Sequence, residues 1–569
     1  MKTLLVAINA KYEHENTAVW YLKSACSKKG LDVLVQQHTI NDDIQHIYMA
    51  IMDEKPDVAA FSCYIWNRET VLKLIPDLKR TAKGIRIIIG GPEVIADAAC
   101  EAFINAGADY IVKGPGEQRF AELISKLYRD EEPDTIRHYL KTGVEMIEDN
   151  RYVSPFMPEY LRRISNRIAY IESSRGCPYG CTYCLSSACR GMVFFPPEEV
   201  KADIAALVDA GARVIKFVDR SFNTNVAHSL TIWEYIRSYP REKVTFHFEI
   251  NPDGLTEEQF SMLKTMPHGL VQLEAGIQSL NLCTLKAVER RMDPEKALLN
   301  LKRLMSMGNM HIHADLIAGL PYDTLETFKD AFNRVFRVEP HHLQLGFLKL
   351  LHGTKMRNQA DNLNYAYRSY PPYEVLSSDS MSAEDLILLK GVEDVVERFF
   401  NTGRFSLSLK YASGFFETAF DFFNCISRQM KEKGLLHTPV SALGLYEFFE
   451  GFGRTQLPEH AQDIFKDLLC LDYACGMKTA NLPDFLLSGS LKDGPVKLDL
   501  KQVMTDIGCN PAGRKDFFKR YVALEGLFPI KNGENLTYVR NKIMVDTRCV
   551  DPVTGRAAYC VIAKDFALG

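Results

Sequence analysis

The sequence predicts an α/β protein in which an N-terminal doubly wound parallel sheet is followed by an open (β/α)6 partial barrel and a mainly helical C-terminal domain. Three observations support this fold class. Short β-branched runs alternate with helical patterns near the N-terminus, the alternation restarts at Ile168, and helical patterns alone continue beyond about residue 360. A chain of 569 residues also exceeds what one hydrophobic core serves, so several domains are expected.

The first domain is predicted over residues 1–130, where five apolar runs are separated by amphipathic segments, a rhythm typical of parallel α/β sheets. The predicted strands cover residues 3–8, 31–35, 57–62, 85–89 and 109–112, and one intervening helix covers 68–83. Residues 131–167 carry prolines and mixed charge, which predicts a linker.

The partial barrel is predicted over residues 168–360, because six further strand patterns alternate there with helical patterns. The predicted strands cover residues 168–173, 214–219, 244–250, 270–275, 311–316 and 342–350, with helices over 197–210 and 293–306 among them. In such a barrel the chemistry lies at the carboxyl ends of the strands. Helical patterns over residues 383–400 and 415–431 predict a mainly helical domain of unknown function at 361–569.

The composition is that of an ordinary globular protein, with 46% hydrophobic residues, 25% charged residues and a net charge of −4. This charge disfavours nucleic acid as a partner, and no apolar run approaches the roughly 18 residues of a membrane span. We therefore expect a cytoplasmic protein without membrane contact. Its 14 cysteines are scattered, which in that compartment favours metal binding or reduced thiols over disulfides.

Three cysteines are nevertheless clustered, in the spacing Cys177-x3-Cys181-x2-Cys184, directly after the first predicted barrel strand. A structural zinc site needs four ligands, and Cys189 could supply the fourth. An iron–sulfur cluster held by three cysteines would instead leave one iron open to another ligand, which implies chemistry. The number of thiols alone leaves both alternatives open.

The cysteine spacing, the aromatic Tyr183 before the last cysteine and the barrel context together resemble the signature of the radical S-adenosylmethionine (SAM) superfamily. That resemblance extends over residues 168–355 and favours the iron–sulfur reading. It implies that Cys177, Cys181 and Cys184 bind a 4Fe–4S cluster whose fourth iron is chelated by SAM. It also implies oxygen sensitivity and therefore anaerobic handling.

Further segments resemble parts of the same family's cofactor site. The segment containing Glu274, Gln278 and Ser279 resembles the one beside the ribose and methionine of SAM. Asp315 lies in a segment similar to the strand end near the adenine, and Arg290 in one similar to the basic stretch after the fourth strand. Glu274 and Asp315 could equally cap helices or pair with Arg290.

Residues 217–222 depart from the Gly-Gly-Glu segment that many members of the superfamily carry after the second strand. The sequence here resembles the subgroup with an N-terminal cobalamin domain. The resemblance makes Asp219 a candidate for recognising the SAM amino group, with a helix-cap role as the alternative.

The predicted strand ends of the first domain carry glycines, aromatics and polar side chains suited to a large flat ligand. These residues are Asn9, Tyr12, His14, Ser62, Tyr64, Gly90, Gly91, Pro92, Glu93, Gly114 and Glu117. No G-x-G-x-x-G follows the first strand, which disfavours a dinucleotide. Together the segments resemble the cobalamin-binding domain fused to radical SAM barrels. The Asp-x-His-x-x-Gly motif for a lower cobalt ligand is absent, so His14 is better read as polar surface than as a ligand.

The resemblance implies a cobalamin-dependent radical SAM enzyme that methylates an unactivated carbon of an unknown substrate, with electrons from a flavodoxin- or ferredoxin-type donor. A cyclase or rearrangement enzyme using the same cofactors is the nearest alternative. A corrinoid or iron–sulfur binding or sensory protein is the alternative from another class. A methylthiotransferase is less favoured because Cys26, Cys63 and Cys100 are too dispersed to bind a second cluster. The sequence identifies no catalytic acid or base.

Overall fold

The protein is described by a computed structural model that covers residues 1–131, 152–188, 191–487, 495–506, 517–532 and 535–562. Most of the predicted linker and Cys189 lie outside these residues. The chain divides into two compact units. The first comprises Met1–Met310, Ile317–Thr327 and Gly346–Ala383, and the second comprises His311–Leu316, Phe328–Leu345 and Glu384–Gly569.

The first unit begins with a five-stranded parallel sheet in the order β2-β1-β3-β4-β5. Its strands are β1 (Thr3–Asn9), β2 (Leu34–Thr39), β3 (Val58–Ser62), β4 (Arg86–Gly90) and β5 (Tyr110–Val112). The helices between and after them are α1 (Thr17–Lys28), α2 (Ile44–Glu54), α3 (Arg68–Thr81), α4 (Asp97–Ala106) and α5 (Glu117–Tyr128). The doubly wound parallel sheet predicted from the sequence is therefore confirmed.

The centre of this sheet is apolar on both faces because helices cover both. Every residue of β1 is buried, and Leu4 pairs in register with Leu34 of β2 and with Ala59 of β3. The strand order reverses between β1 and β3, and an open α/β sheet binds ligands beyond the strand ends at such a switch point.

A second, six-stranded sheet follows the short helix α6 (Pro158–Leu161), with the order β13-β12-β11-β10-β9-β6. Its strands are β6 (Ile168–Ile171), β9 (Val214–Phe217), β10 (Thr245–Ile250), β11 (Val271–Gln278), β12 (His311–Ala318) and β13 (His342–Phe347). Between β6 and β9 lies a small antiparallel pair, β7 (Ser174–Gly176) and β8 (Met192–Phe194). The helices are α7 (Pro197–Asp209), α8 (Val226–Ile236), α9 (Glu257–Lys264), α10 (Leu282–Ala287), α11 (Pro294–Met307) and α12 (Leu325–Phe336).

The strands of this second sheet alternate between a buried apolar face and a polar face. In β11, Leu273 and Ala275 are buried, whereas Glu274 and Gly276 between them are half-buried. Such alternation in a parallel sheet means that one face packs on the helices and the other faces the inside of the partial barrel. The inner face therefore carries the polar side chains.

After the barrel the first unit adds α13 (Lys355–Asn358), β14 (Ala366–Tyr367) and β15 (Val375–Ser377). The second unit is mainly helical, as predicted. Its helices are α14 (Ala383–Val395), continued by a π-helical turn over Val396–Phe400, α15 (Ser406–Ser413), α16 (Ala419–Glu432), α17 (Ala442–Gln456), α18 (Glu459–Gly476), α19 (Leu500–Asp506) and α20 (Phe517–Arg520). Within the described residues no helix combines the length and apolarity that crossing a membrane requires.

The second unit also contains a four-stranded antiparallel sheet that the sequence analysis missed. Its strands are β16 (Val496–Lys497), β17 (Tyr521–Asn532), β18 (Asn535–Val550) and β19 (Ala557–Val561). The hairpin of β17 and β18 pairs Tyr521 with Asp546 and Asn532 with Asn535. Charged and polar residues interrupt its apolar pattern, so the strands depend on their cross-strand partners and not on local periodicity alone.

Candidate functional site

The three clustered cysteines lie in a loop that begins at the end of β7. Cys181 is buried, while Cys177 and Cys184 are half-buried. Burial and the neighbouring Cys184 and Cys181 sulfurs raise the pKa of the Cys177 thiol, so the three thiols face one another closely enough to interact. Among the described residues no three Cys, His, Asp or Glu side chains are arranged to hold a single metal ion.

Backbone contacts on both sides fix this cysteine loop. The Thr182 N–H donates to the Val288 carbonyl at 3.0 Å, and the Thr182 carbonyl accepts from the Met356 N–H at 2.9 Å. Gly176 opens the loop with a φ of +93°, and a Cβ there would overlap the Gly191 carbonyl of the adjoining strand. Only glycine permits this close approach, so the loop is tightly anchored where it leaves β7.

Arg290 brings a positive charge to the buried cysteine. Its Nη1 lies 3.8 Å from Cys181 Sγ, and its Nη2 donates to Asn251 Oδ1 at 3.1 Å and to the Gly276 carbonyl. Tyr183 stands beside the same group, and burial raises its pKa, so its hydroxyl stays protonated. A guanidinium directed at a sulfur favours the thiolate, which is the form that ligates iron. The residues of the cysteine loop thus fit an anionic iron–sulfur cluster.

Asp219 lies just beyond β9, directly beneath the start of the cysteine loop, and is 1% exposed. Its carboxylate accepts from the Ser173 N–H at 2.9 Å, from Ser173 Oγ at 2.7 Å and from Ser174 Oγ at 2.5 Å. Burial outweighs these bonds and raises the pKa of Asp219 to about 6. The structure therefore gives Asp219 a bracing role between β6 and β7, while its predicted contact with SAM stays a prediction.

Glu274 projects from the inner face of β11 into a cluster of cationic partners. Its Oε2 accepts from Lys216 Nζ at 3.2 Å and lies 2.9 Å from His247 Nε2. Burial alone would raise the pKa of Glu274, but His247 and Lys216 lower it well below its ordinary value. Glu274 is therefore ionised and paired within the barrel.

The other predicted SAM residues are spread along the barrel strands. Gln278 ends β11 with a φ of +70°, and Ser279 is buried, with its hydroxyl accepting from the Asn281 N–H at 3.1 Å. Asp315 lies half-buried within β12. Arg290 donates to the Gly276 carbonyl of β11, so Arg290 and β11 share one neighbourhood with the cysteine loop.

A cavity of about 740 Å³ lies within the first unit, at the carboxyl edge of the first sheet. The predicted residues that line it are Asn9, His14, Ser62, Tyr64, Gly90, Gly91, Pro92, Gly114 and Glu117. Its other wall comes from β6 and the segments that follow β6 and β9, through Tyr170, Glu172, Arg175, Val218 and Arg220. The cavity thus lies between the two sheets, and Arg175 in its wall is two residues from Cys177.

Two predicted residues lie elsewhere. Tyr12 is 74% exposed, and the Arg167 guanidinium stacks on its ring at 4.3 Å. Glu93 is buried behind the cavity, where it pairs with Arg68 at 3.4 Å and accepts from the Tyr373 hydroxyl at 2.9 Å. Glu93 therefore anchors the Gly-Gly-Pro turn through a residue 280 positions away in the sequence, which no local pattern indicates.

His14 lines the cavity but has polar neighbours at both ring nitrogens. The Tyr170 hydroxyl lies 2.9 Å from Nδ1, and Glu13 Oε1 lies 3.8 Å from Nε2. Burial lowers the pKa of His14, so the ring is neutral near pH 7. This environment agrees with the reading of His14 as a polar wall residue.

The cavity wall also contains residues that the sequence analysis missed, above all Tyr21, Glu172 and Arg175. Tyr21 is 6% exposed, and its hydroxyl has no hydrogen-bond partner among the described residues. A buried donor without a partner suits a ligand that offers an acceptor. With the Gly-rich strand ends and the stacked rings of Tyr64 and Trp66, 4.5 Å apart, the cavity fits a large ligand that combines apolar and amide groups, such as cobalamin.

The remaining cysteines of the first domain are buried and separate. Cys26, Cys63 and Cys100 are each at most 1% exposed, and burial raises the pKa of each thiol. Protonated thiols in apolar surroundings act as small hydrophobic residues. Their placement gives no support to a second cluster.

Three family models match the chain. They are a B12 binding domain over residues 3–124, the Radical SAM superfamily over 171–335 and a protein of unknown function, DUF4080, over 361–507.

Curated relatives match about half of the chain. A 2-(S-pantetheinyl)-carbapenam-3-carboxylate methyltransferase of Streptantibioticus cattleyicolor is 25% identical over 53% of this chain and 47% of its own length. The cobalamin-dependent radical SAM methyltransferase TokK of Streptomyces tokunonensis is 23% identical over 56% and 50%. A tRNA-2-methylthio-N(6)-dimethylallyladenosine synthase of Thermotoga petrophila is 21% identical over 53% and 68%. The chain therefore spans about half the length of the first two relatives.

Solved structures share the fold. The radical SAM methyltransferase TsrM of Kitasatospora setae superposes with a TM-score of 0.52 and 17% identity, covering 64% of this chain and 77% of TsrM. The cobalamin-dependent SAM radical enzyme OxsB superposes with a TM-score of 0.54 and 14% identity, covering 83% of both chains.

Proposed function

We propose that this chain, which joins a B12 binding domain to a radical SAM domain, is a cobalamin-dependent radical SAM enzyme that methylates an unactivated carbon. The observation that carries the proposal is the shared wall of the cavity. One side comes from the glycine-rich strand ends of the first sheet, and the other ends two residues before Cys177. A cofactor in the cavity would therefore lie beside one held by the cysteine loop.

The chemistry that the bound groups would supply is reductive cleavage of SAM at an iron–sulfur cluster and methyl donation from cobalamin. Cys177, Cys181 and Cys184 would hold the cluster, and Arg290 would stabilise the negative charge on Cys181. Glu274 stays ionised between Lys216 and His247, so the inner face of the barrel presents fixed charges for orienting a polar cofactor.

The residues around the cavity restrict the access of water. Its deeper wall is apolar and includes Leu5, Val19, Ile88 and Phe120. Exclusion of water protects reactive species from side reactions and strengthens the electrostatic interactions within the site. The fixed walls thus contribute orientation and shielding.

Similarity to two methyltransferases supports methyl transfer as the reaction. The substrate is not identified by these relatives, because what their names specify belongs to them. The reaction requires an external electron, for which we include a flavodoxin- or ferredoxin-type donor in the proposal.

The proposal is tested with protein purified and reconstituted without oxygen. Given hydroxocobalamin, a reductant and SAM, the protein should form both 5′-deoxyadenosine and S-adenosylhomocysteine. The combined variant Cys177→Ala, Cys181→Ala, Cys184→Ala should lose deoxyadenosine formation, whereas Cys283→Ala, which changes an exposed cysteine outside the loop, should retain it. Absence of both products from protein with a full complement of cluster and cobalamin would contradict the proposed function.

A further inference from the structure

We propose that Arg175 is a positioning residue that couples occupancy of the cavity to the geometry of the cysteine loop. The inference rests on the proposed function, since it takes the cavity as the cobalamin site and the loop as the cluster and SAM site. It concerns a connection between the two sites, which neither sheet provides by itself.

Arg175 is held by carboxylates from two parts of the first unit. Its Nη2 lies 2.5 Å from Glu117 Oε1, at the start of α5, and 2.6 Å from Glu172 Oε2, just after β6. Its Nε donates to the same Glu172 oxygen at 2.9 Å. The three side chains are each about one-fifth exposed, so solvent screens these charge-assisted bonds only partly.

Two aromatic rings restrain the guanidinium further. Its carbon lies 5.3 Å from the centre of the Tyr21 ring on α1 and 5.7 Å from that of Phe195, which follows β8. Cation–π contacts on both sides limit movement of the planar group. Arg175 is therefore gripped by the first domain, through Glu117 and Tyr21, and by the barrel, through Glu172 and Phe195.

One end of this clamp belongs to the cavity. Gly114, Pro115 and Gly116 line the cavity and lead directly into Glu117, which lines it too. The loop is short and joins β5 to α5. A ligand pressing against this loop would shift the Glu117 carboxylate, and the Arg175 guanidinium would follow it.

The other end of the clamp belongs to the cysteine loop. Arg175 pairs with Val193 in the β7–β8 ladder, and only Gly176 separates it from Cys177. Gly176 is packed against the Gly191 backbone, so it provides little slack. A displacement of Arg175 would therefore reach the first cluster cysteine.

Loss of Arg175 would leave Glu117 and Glu172 as like charges beside the cavity, which would drive the two walls apart. The clamp should thus make cobalamin and SAM bind cooperatively. By linkage, each ligand must change the equilibrium affinity of the other by the same factor, typically about 5-fold or more.

The test measures SAM affinity of cluster-reconstituted protein, by anaerobic calorimetry, with and without saturating hydroxocobalamin. The parental protein should show a coupling of about fivefold or more, and SAM should change cobalamin affinity by the same factor. In Arg175→Lys, which keeps the charge but cannot bridge two carboxylates, and in Glu117→Gln, the coupling should fall below about twofold. The cluster's electron paramagnetic resonance spectrum should correspondingly lose its response to cobalamin.

Arg303→Lys is the matched control. Arg303 also binds a carboxylate with both nitrogens, Glu257 at 2.6 and 2.5 Å, and stacks on Phe260 at 3.9 Å, but it joins α11 to α9 away from the cavity. This variant should keep the parental coupling. Parental protein that binds both ligands without coupling, or coupling that survives in Arg175→Lys, would overturn the inference. Protein that binds neither ligand would instead contradict the proposed function.

Discussion

Two buried carboxylates of the barrel, Asp219 after β9 and Glu274 within β11, are held in opposite ways. Asp219 is surrounded by the neutral donors of Ser173 and Ser174, and its pKa is raised to about 6. Glu274 is surrounded by Lys216 and His247, and its pKa is lowered. Neutral donors stabilise a carboxylate less than cations do, so similar burial gives opposite shifts. Asp219 therefore supports the cysteine loop mechanically, and Glu274 sets the charge of the barrel interior.

The largest effect is expected from Asp219→Ala, since it leaves the donors of Ser173 and Ser174 without an acceptor. Unpaired buried donors cost about 1–3 kcal/mol each, so the free energy of unfolding should fall by about 3 kcal/mol or more. Because these serines precede the cysteine loop, iron content after reconstitution should fall as well. Thermal denaturation and iron analysis measure both effects.

Asp293→Ala is the control for Asp219→Ala, because Asp293 only caps α11 by accepting from the Glu295 and Lys296 N–H groups. Loss of such a cap costs about 1 kcal/mol. An Asp219→Ala variant no less stable than Asp293→Ala would show that Asp219 does not brace the loop.

A smaller loss is expected when the ionic cluster of Glu274 is opened. Glu274→Gln leaves Lys216 and His247 without their negative partner and should lower the free energy of unfolding at pH 7 by about 2 kcal/mol. Adding Lys216→Met should restore part of that loss, with a coupling energy of about 1–3 kcal/mol in a double-mutant cycle. Strict additivity of the two substitutions would contradict the pairing.

The two carboxylates should also give pH profiles of opposite sign. Asp219 has a folded pKa of about 6 against 3.8, so its contribution to stability is greatest near pH 4 and is lost as the pH rises to about 6. Glu274 has a lowered folded pKa, so its contribution is present above pH 4.5 and is lost as the pH falls below that value. The Tm difference between parental protein and Asp219→Asn or Glu274→Gln, followed from pH 3 to 7, should move in opposite directions. Parallel profiles would show that the two environments do not differ.

The smallest effect concerns Tyr21, a buried polar group that has neither kind of partner. Tyr21→Phe removes a hydroxyl without a hydrogen bond among the described residues, so the free energy of unfolding of the cofactor-free protein should change by less than about 1 kcal/mol. If bound cobalamin supplies the acceptor, its affinity should fall about five- to tenfold, which equals one hydrogen bond. Equal cobalamin affinity in both proteins would remove Tyr21 from the binding surface.

The sequence by itself determined the features that local spacing encodes. The alternation of apolar runs predicted both parallel sheets, because strand and helix periods are set by neighbouring residues. The spacing of Cys177, Cys181 and Cys184 indicated a cluster loop for the same reason, since all three ligands lie in one short segment. The β17–β18 hairpin escaped this reasoning because its strands are stabilised across the sheet.

Only the tertiary structure decided the environment of each charged side chain. Glu93 and Glu117 both follow a Gly-Pro segment at a strand end, yet Glu93 is buried against Tyr373 whereas Glu117 reaches Arg175 in the cavity wall. Asp219 and Glu274 both follow or lie within barrel strands, yet their pKa values shift in opposite directions. Hydrogen bonds and charges act through space over a few ångströms, so their partners depend on which distant segments the fold brings together.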